Sequence, residues 1–220
     1  MGIKGFIFDL DGVIADTAKF HFVAWQSLAR RLGFDIDEEF NELLKGVSRM
    51  DSLNLILAHG NVQLSEAEKI KLADEKNTEY VELIRHMNAD DLLPGTLDAL
   101  QRLRLAGFKI GLASASKNAP MILDALGISA LFDVVVDAGL IKNGKPDPEI
   151  FLSAAQQLGL HASECIGIED AVAGVQSIKS AGMFAVGIGQ ADVLHEADVV
   201  IEGLQAFDWL RMVALHNAQV

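Results

Sequence analysis

A chain of 220 residues, 50% hydrophobic and 22% charged, is long enough for a buried core plus a smaller second unit. That composition excludes a disordered tail protein and a low-complexity or collagen-like chain. Thirty-one acidic against eighteen basic residues give a formal charge of −13, a field that repels nucleic acid and anionic membranes, so neither is expected as a partner. Small anionic substrates remain compatible. An ion pair at ~4 Å with an effective dielectric constant of ~20 is worth ~4 kcal/mol, whereas a charge ~20 Å away through water contributes ~0.2 kcal/mol.

In chain order, Met1 to Phe6 could pass for the start of a signal peptide, but Asp9, Asp11 and Asp16 interrupt the apolar stretch such a signal needs. No apolar run is long enough for a membrane span, and the single Cys165 cannot form an intrachain disulfide. A cytoplasmic protein is expected. Ile3 to Phe8 is a short apolar run ending at Asp9-Leu10-Asp11-Gly12, the pattern of a central strand in a parallel sheet. From Thr17 to Met87 the spacing turns helical. Phe20, Ala24, Leu28 and Leu32 recur at steps of four, and Gly33 is a natural stop. Ser65-Glu66-Ala67-Glu68 reads as a capping box. Behind it Ala73, Asn77, Tyr80, Val81 and Ile84 form one mostly apolar face, and Lys76, on a charged stretch of helix, falls by default on an exposed face.

Pro94-Gly95 punctuates the chain, and helices and strands then alternate. The pattern predicts helices over ~96–106, ~118–126, ~147–158, ~171–181 and ~203–216, and strands over ~109–113, ~133–136, ~165–168 and ~183–188. Gly107, Gly127, Gly159 and Gly182 each follow a helical segment, where a left-handed residue is favoured. Such alternation implies an α/β fold: a Rossmann-like parallel sheet with helices on both faces, and the helical block inserted after the first strand.

In open α/β sheets, sites form at the carboxyl ends of strands. Asp9 and Asp11, Ser114, Lys145 in Gly144-Lys145-Pro146, and Glu169-Asp170 all fall there. Singly, each has a plain structural role available, such as a helix cap or a solvated loop lysine. Together they form a coherent set. Asp9, Glu169 and Asp170 would repel one another unless a cation lay between them, and hard oxygen ligands suit Mg²⁺. A carboxylate beside that ion is a feasible nucleophile toward phosphorus. Ser114 and Lys145 would hold the oxygens of the transferring group, and Asp11 could act as general acid and base. The residues do not fit an EF-hand, a P-loop or a dinucleotide fingerprint, and no Cys/His cluster has zinc-like spacing.

With Phe8-Asp9-Leu10-Asp11-Gly12-Val13, Ser114, Lys145-Pro146-Asp147-Pro148 and Gly167-Ile168-Glu169-Asp170 assembled, the chain closely resembles the haloacid dehalogenase phosphotransferase superfamily. The resemblance implies a core domain over residues 1–15 and 94–220 and an inserted α-helical cap domain over 16–93. Asp16-Thr17-Ala18, His21, Trp25, Leu44 to Arg49, Asp51-Ser52-Leu53 and Leu112 to Asn118 are similar to the β-phosphoglucomutase family within it. That likeness implies interconversion of β-D-glucose 1-phosphate and D-glucose 6-phosphate. The route would pass through β-D-glucose 1,6-bisphosphate, both activator and intermediate. Asp9 would be phosphorylated, and Asp11 would be the acid/base, steadied by His21. Mg²⁺ would be held by Asp9, the Asp11 backbone carbonyl, Glu169 and Asp170. Arg49, Ser116, Lys117 and Asn118 would hold the non-transferring phosphate. Gly46, Val47 and Lys76 would face the sugar, and Trp25, Lys45 and Ala115 would complete the substrate site. His21 and Trp25, four apart, also suit simple packing on one helical face. Met50 departs from the acidic residue frequent in relatives.

A monomer with hinges near Asp16 to Ala18 and Asp90 to Pro94 is expected. A sugar-phosphate phosphatase on the same scaffold is the alternative activity. A non-catalytic module carrying phosphate on Asp9 is a remote one, since it has no need of Asp11 or a sugar cap.

Overall fold

The computed structural model describes residues 2–219. Its centre is a six-stranded, all-parallel sheet made of β1 (Gly5–Phe8), β2 (Lys109–Leu112), β3 (Val134–Val135), β4 (Cys165–Glu169), β5 (Phe184–Ile188) and β6 (Val199–Ile201), in the order β3-β2-β1-β4-β5-β6. Parallel strands need crossovers, and these are α5 (Thr96–Leu105), α6 (Ala119–Ala125), α7 (Glu149–Leu158) and α8 (Val172–Ser180). Successive strand residues point to opposite faces, and both faces are apolar. Phe6 and Phe8 pack with Leu100, Leu103 and Ile122 on one side, while Ile7 packs with Phe151, Ala154 and Ile178 on the other. Gly107, Gly127, Gly159 and Gly182 have φ between +69° and +83°, as their place after helices requires.

The register places the motifs. Phe8 lies level with Leu112 on one side and Ile168 on the other. The next residue of each strand, Asp9, Ala113 and Glu169, therefore emerges along the same carboxyl edge. Backbone hydrogen bonds hold that edge, from Asp9 N to Ile168 O at 2.9 Å and from Ala113 N to Phe8 O at 2.8 Å.

Between β1 and α5 come four α-helices: α1 (Ala18–Arg31), α2 (Glu38–Glu42), α3 (Arg49–His59) and α4 (Glu66–Ile84). They bury their own cluster of Trp25, Leu28, Leu53, Ile56 and Ala73. The capping box at α4 is present, with Ser65 N donating to Glu68 Oε2 at 2.8 Å and Glu68 N to Ser65 Oγ at 3.4 Å. The two chain crossings to the sheet run side by side. Ala15 bridges to both Asp11 and Leu92, and Ile14 O accepts from Leu93 N at 3.0 Å and Thr96 Oγ1 at 3.2 Å.

The structure corrects the reading of the C-terminal end. Val199–Ile201 is a sixth strand, and the helix expected from ~203 is a short 3₁₀ turn at Leu204–Ala206 followed by α9 (Trp209–Gln219). Asp208 sets the true start, its Oδ1 accepting from Leu210 N at 3.0 Å and Arg211 N at 3.4 Å. Among the described residues no helix is long and apolar enough to cross a membrane.

Candidate active site

The carboxyl edge of the sheet forms the floor of the site. Lys145 Nζ donates to Asp9 Oδ1 and to Glu169 Oε1, each at 2.6 Å, with its side chain wholly buried. Burial opposes the ammonium charge, but the two carboxylates outweigh it and hold the Lys145 pKa above its usual range. Ser177 Oγ anchors the loop that presents this lysine by donating to Asp147 O at 2.6 Å. Glu169 also accepts from Ala171 N at 2.8 Å.

Asp9, Glu169 and Asp170 each bring an oxygen to within 4.8 Å of the others. Burial, opposed by Lys145 and aided by Glu169 and Asp11, pushes the Asp9 carboxyl up to about 8. Burial, then Glu169 and Asp9, raises Asp170 well above the usual carboxylate range. Carboxylates pressed together at this cost in ionisation are what a bound hard cation relieves, so the donor set fits a divalent ion with oxygen ligands. Gly12 allows the cluster to form. It has φ +77°, and a Cβ there would lie 2.1 Å from Asp170 Oδ2.

Asp11 faces the cavity above this floor. Burial raises its pKa, opposed by a hydrogen bond from the Thr17 hydroxyl, and a raised carboxyl suits a group that must give up and regain a proton. His21 Nε2 lies 3.9 Å from Asp11 Oδ1, beyond hydrogen-bond reach. Its Nδ1 sits 2.8 Å from Lys76 Nζ. When Lys76 is protonated it only donates, so Nδ1 then accepts and the imidazole proton lies on Nε2, toward Asp11. Burial, then Lys76 and Arg49, holds the His21 pKa well below its usual value, so the ring stays neutral.

Lys76 does not take the exposed position that its charged helix gives by default; it turns toward the cavity, as the family resemblance implies. It is 2% exposed, on the same inward face of α4 as Ala73, Tyr80 and Ile84. Its ammonium lies 4.4 Å from the Trp25 ring centroid and 4.7 Å from that of Tyr80, an aromatic setting that offsets part of the lost hydration. Burial, then Arg49, brings its pKa down to about 7.

A cavity of about 420 Å³ separates the helical segment from the floor. From the floor side Asp9, Asp11, Asp170 and the run Ala115 to Asn118 line it; from the helical side come His21, Trp25, Lys45, Gly46, Val47, Arg49 and Lys76. Ser114, Lys145 and Glu169 are buried beneath the lining. Ser114 Oγ accepts from Ser116 N at 3.1 Å, and Ser116 Oγ from Asn118 N at 3.3 Å, which winds this run into the cavity wall. The loop at Gly46 comes down onto the floor, where a Cβ would lie 3.3 Å from Ala171 Cβ and 3.8 Å from Lys145 Cδ. The helical segment thus stands closed over the site.

Three residues without an assigned role in the sequence belong to this neighbourhood. Thr17 precedes α1 but makes no side-chain cap, spending its hydroxyl on Asp11 instead. Tyr80 stacks on His21 at 4.0 Å, and its Oη is the one buried side-chain polar atom without a hydrogen-bond partner among the described residues. Asn77 contacts Arg49 and Asn118. Thr17 had a signal, since a Thr at a helix start invites a check of what its hydroxyl bonds. The other two depend on tertiary contacts alone.

Comparison with known proteins places this geometry in context. A family described as haloacid dehalogenase-like hydrolase matches residues 3–182. The chain is 48% identical over 201 residues to the β-phosphoglucomutase of Bacillus subtilis, covering 90% of this chain and 89% of that protein. It is 34% identical over 188 residues to a fructose-1-phosphate phosphatase of Escherichia coli, covering 84% and 95% respectively. Among solved structures, a β-phosphoglucomutase from Clostridium difficile superposes with a TM-score of 0.96 at 48% identity, covering 99% of this chain and 98% of that one.

Proposed function

The chain belongs to the haloacid dehalogenase-like hydrolase family, and within it we propose that this protein acts as a β-phosphoglucomutase, interconverting β-D-glucose 1-phosphate and D-glucose 6-phosphate. The observation that carries the reading is a closed cavity with two ends rich in hydrogen-bond donors, each suited to a phosphate. One is the Asp9, Ser114 and Lys145 floor, and the other joins Arg49 to the run Ser116 to Asn118. A mutase needs both, because its bisphosphate must bind in either orientation. Similarity to the Bacillus enzyme supports the same reading.

In the proposed cycle Asp9 carries the phosphoryl group. Asp11 takes the proton from the sugar 6-hydroxyl as that oxygen attacks phosphorus, and the bond to Asp9 breaks. The product is β-D-glucose 1,6-bisphosphate, which also primes the free enzyme. After it turns end for end, the Asp9 carboxylate attacks the phosphorus at C1, and Asp11 returns its proton to the departing C1 oxygen. Glucose 6-phosphate leaves, with Asp9 phosphorylated again. Lys145 and Ser114 hold the transferring oxygens. Asp9, Glu169, Asp170 and the Asp11 backbone carbonyl would hold Mg²⁺, which when bound supplies positive charge against the phosphoryl oxygens. Thr17 sets the position of Asp11 through its hydroxyl, His21 stands beside it to steady Asp11, and Trp25, Lys45, Gly46, Val47, Lys76 and Ala115 surround the sugar. We take residues 16–93 as a cap that excludes water by closing on a core of 1–15 and 94–220, the paired crossings at Ala15 and Leu92 acting as the hinge. One chain supplies every group, so the proposed catalytic unit is a monomer.

The deciding experiment supplies β-D-glucose 1-phosphate, a trace of the 1,6-bisphosphate and Mg²⁺, and follows glucose 6-phosphate and free phosphate together. Glucose 6-phosphate in large excess is expected. Free phosphate as the main product would make this a sugar-phosphate phosphatase.

Arg49 begins α3 and reaches the cavity from the cap, offering the planar fork suited to phosphate. Arg49→Ala is expected to raise KM for the sugar phosphate about 10- to 100-fold, the worth of a hydrogen bond or two to a charged group. Turnover of acetyl phosphate, which carries no second phosphate, should fall far less. Equal losses on the two substrates would remove Arg49 from this role.

A further inference from the structure

We propose that Asn77 is a positioning residue of the second phosphate grip, clasping Arg49 of the cap and Asn118 of the core around one carbonyl and offering its own amide to the substrate phosphate. The inference rests on reading Arg49, Ser116, Lys117 and Asn118 as that grip.

Asn77 Oδ1 accepts from Arg49 Nη2 at 2.8 Å and from Asn118 Nδ2 at 2.9 Å. Arginine has no acceptor, so the atom facing it must be the amide oxygen, and the orientation of Asn77 is settled by chemistry. Both lone pairs of that oxygen are then used, one by each domain. Among the described residues, the Asn77–Asn118 contact is the only side-chain hydrogen bond joining α1–α4 to the chain beyond Pro94. The cap and core halves of the grip meet at this one atom.

The donors left over are the ones a phosphate needs. Arg49 keeps four N–H groups and Asn118 keeps one on its side chain after this contact. Among the described residues the Asn77 amide nitrogen has no hydrogen-bond partner, and Asn77, Arg49 and Asn118 all line the cavity. Asn77 directly follows Lys76 and lies one helical turn from Ala73 on α4, so the helix that carries the sugar-facing lysine also sets the phosphate end. A phosphate monoester entering here meets unsatisfied donors on both sides of an acceptor already saturated. Closure and phosphate recognition thereby become one event.

The test is steady-state kinetics of Asn77→Ala and Asn77→Asp with the sugar phosphate that the wild-type enzyme turns over, with acetyl phosphate in parallel and a melting curve for each variant. Asp has nearly the shape of Asn and keeps the oxygen that Arg49 and Asn118 need. It loses the amide donor and sets a negative charge beside the phosphate. Asn77→Ala is expected to raise sugar-phosphate KM about 10-fold with kcat reduced less than about 3-fold, and Asn77→Asp to raise KM further, about 30-fold or more. For both variants kcat/KM should fall at least about five times further on the sugar phosphate than on acetyl phosphate. A role in packing alone predicts the reverse order, with Asp rescuing what Ala loses. A near-wild-type KM for Asn77→Asp, or equal losses on the two substrates, would overturn the proposal. Should Asn77→Ala melt early, the Asp variant decides alone. Free phosphate as the wild-type product would defeat the mutase reading separately, since the KM comparison is scored on the same sugar phosphate either way.

Discussion

Asp9→Asn is expected to cut glucose 6-phosphate formation by about 10⁴-fold or more, the scale on which removal of a covalent nucleophile acts, while the folded structure persists. Asparagine matches aspartate in size and retains a carbonyl oxygen that can accept from Lys145, so the buried contact at 2.6 Å survives in weaker form. What disappears is the anionic oxygen able to attack phosphorus. The change also relieves a crowd of like charges: burial and the neighbouring Glu169 and Asp11 already push the Asp9 carboxyl up to about 8 despite Lys145. Without Mg²⁺ the unfolding midpoint should therefore hold or rise. The gain in midpoint on adding Mg²⁺ should shrink, because one of three clustered carboxylates has lost its charge. Product formation by a coupled assay and melting curves with and without Mg²⁺ check both halves. Residual mutase activity above about one per cent would place the nucleophile elsewhere, being far beyond the rate left after such a loss.

That these residues could be assembled on paper follows from how a parallel sheet advertises its edge. Each strand is a short apolar run, and the polar residue that ends it must stand at the carboxyl edge, so Asp9, Ser114 and Glu169 could be placed together before any register was known. From the helical pattern alone, without the family resemblance that singled out the lysine, Lys76 and Asn77 were opaque for the opposite reason. Around them α4 reads Glu-Lys-Ile-Lys-Leu-Ala-Asp-Glu-Lys-Asn-Thr-Glu-Tyr, in which one lysine looks like the next. Lys69 and Lys71 pair with neighbouring glutamates on the helix surface, and only Lys76 is turned inward. Its partners His21 and Trp25 arrive from α1, more than fifty residues earlier, and helical spacing carries no information about that contact. The missed strand Val199–Ile201 is three residues between Asp198 and Glu202, too brief for alternation to register. The hydroxyl of Thr17 was visible as a helix-start residue, but its use on Asp11 depends on the chain folding back after Gly12.

Lys145→Met should be the most destabilising of the site substitutions. Methionine fills nearly the same volume, so the space beside Phe151, whose ring centroid lies 5.1 Å from the ammonium, stays occupied. Only the charge and its donors are lost. Asp9 and Glu169, 4% and 0% exposed at the side chain, are then left without the cation that each meets at 2.6 Å. Removing one partner of a buried ionic group costs about 3–5 kcal/mol, and at about 2–4 °C per kcal/mol for a chain of this size the midpoint should drop by roughly 6–20 °C. The sign with pH follows from Asp9. Burial already raises the Asp9 carboxyl, and Lys145 is what opposes that rise, so in the variant Asp9 holds its proton more tightly folded than unfolded and the folded state gains stability as pH falls toward the ordinary carboxylate range. The gap between variant and wild type should accordingly narrow on acidification and widen toward neutrality. Mg²⁺ should recover part of the loss at neutral pH by returning positive charge to the cluster. Activity should not return with it, because the transferring phosphoryl oxygens still lack their ammonium donor, a deficit worth about 10²–10³ in kcat. Melting curves at two pH values with and without Mg²⁺, followed by turnover measured well below the variant's midpoint, separate the two roles. A midpoint within about 2 °C of wild type would show that the buried carboxylates do not rely on Lys145, that being less than the effect of 1 kcal/mol.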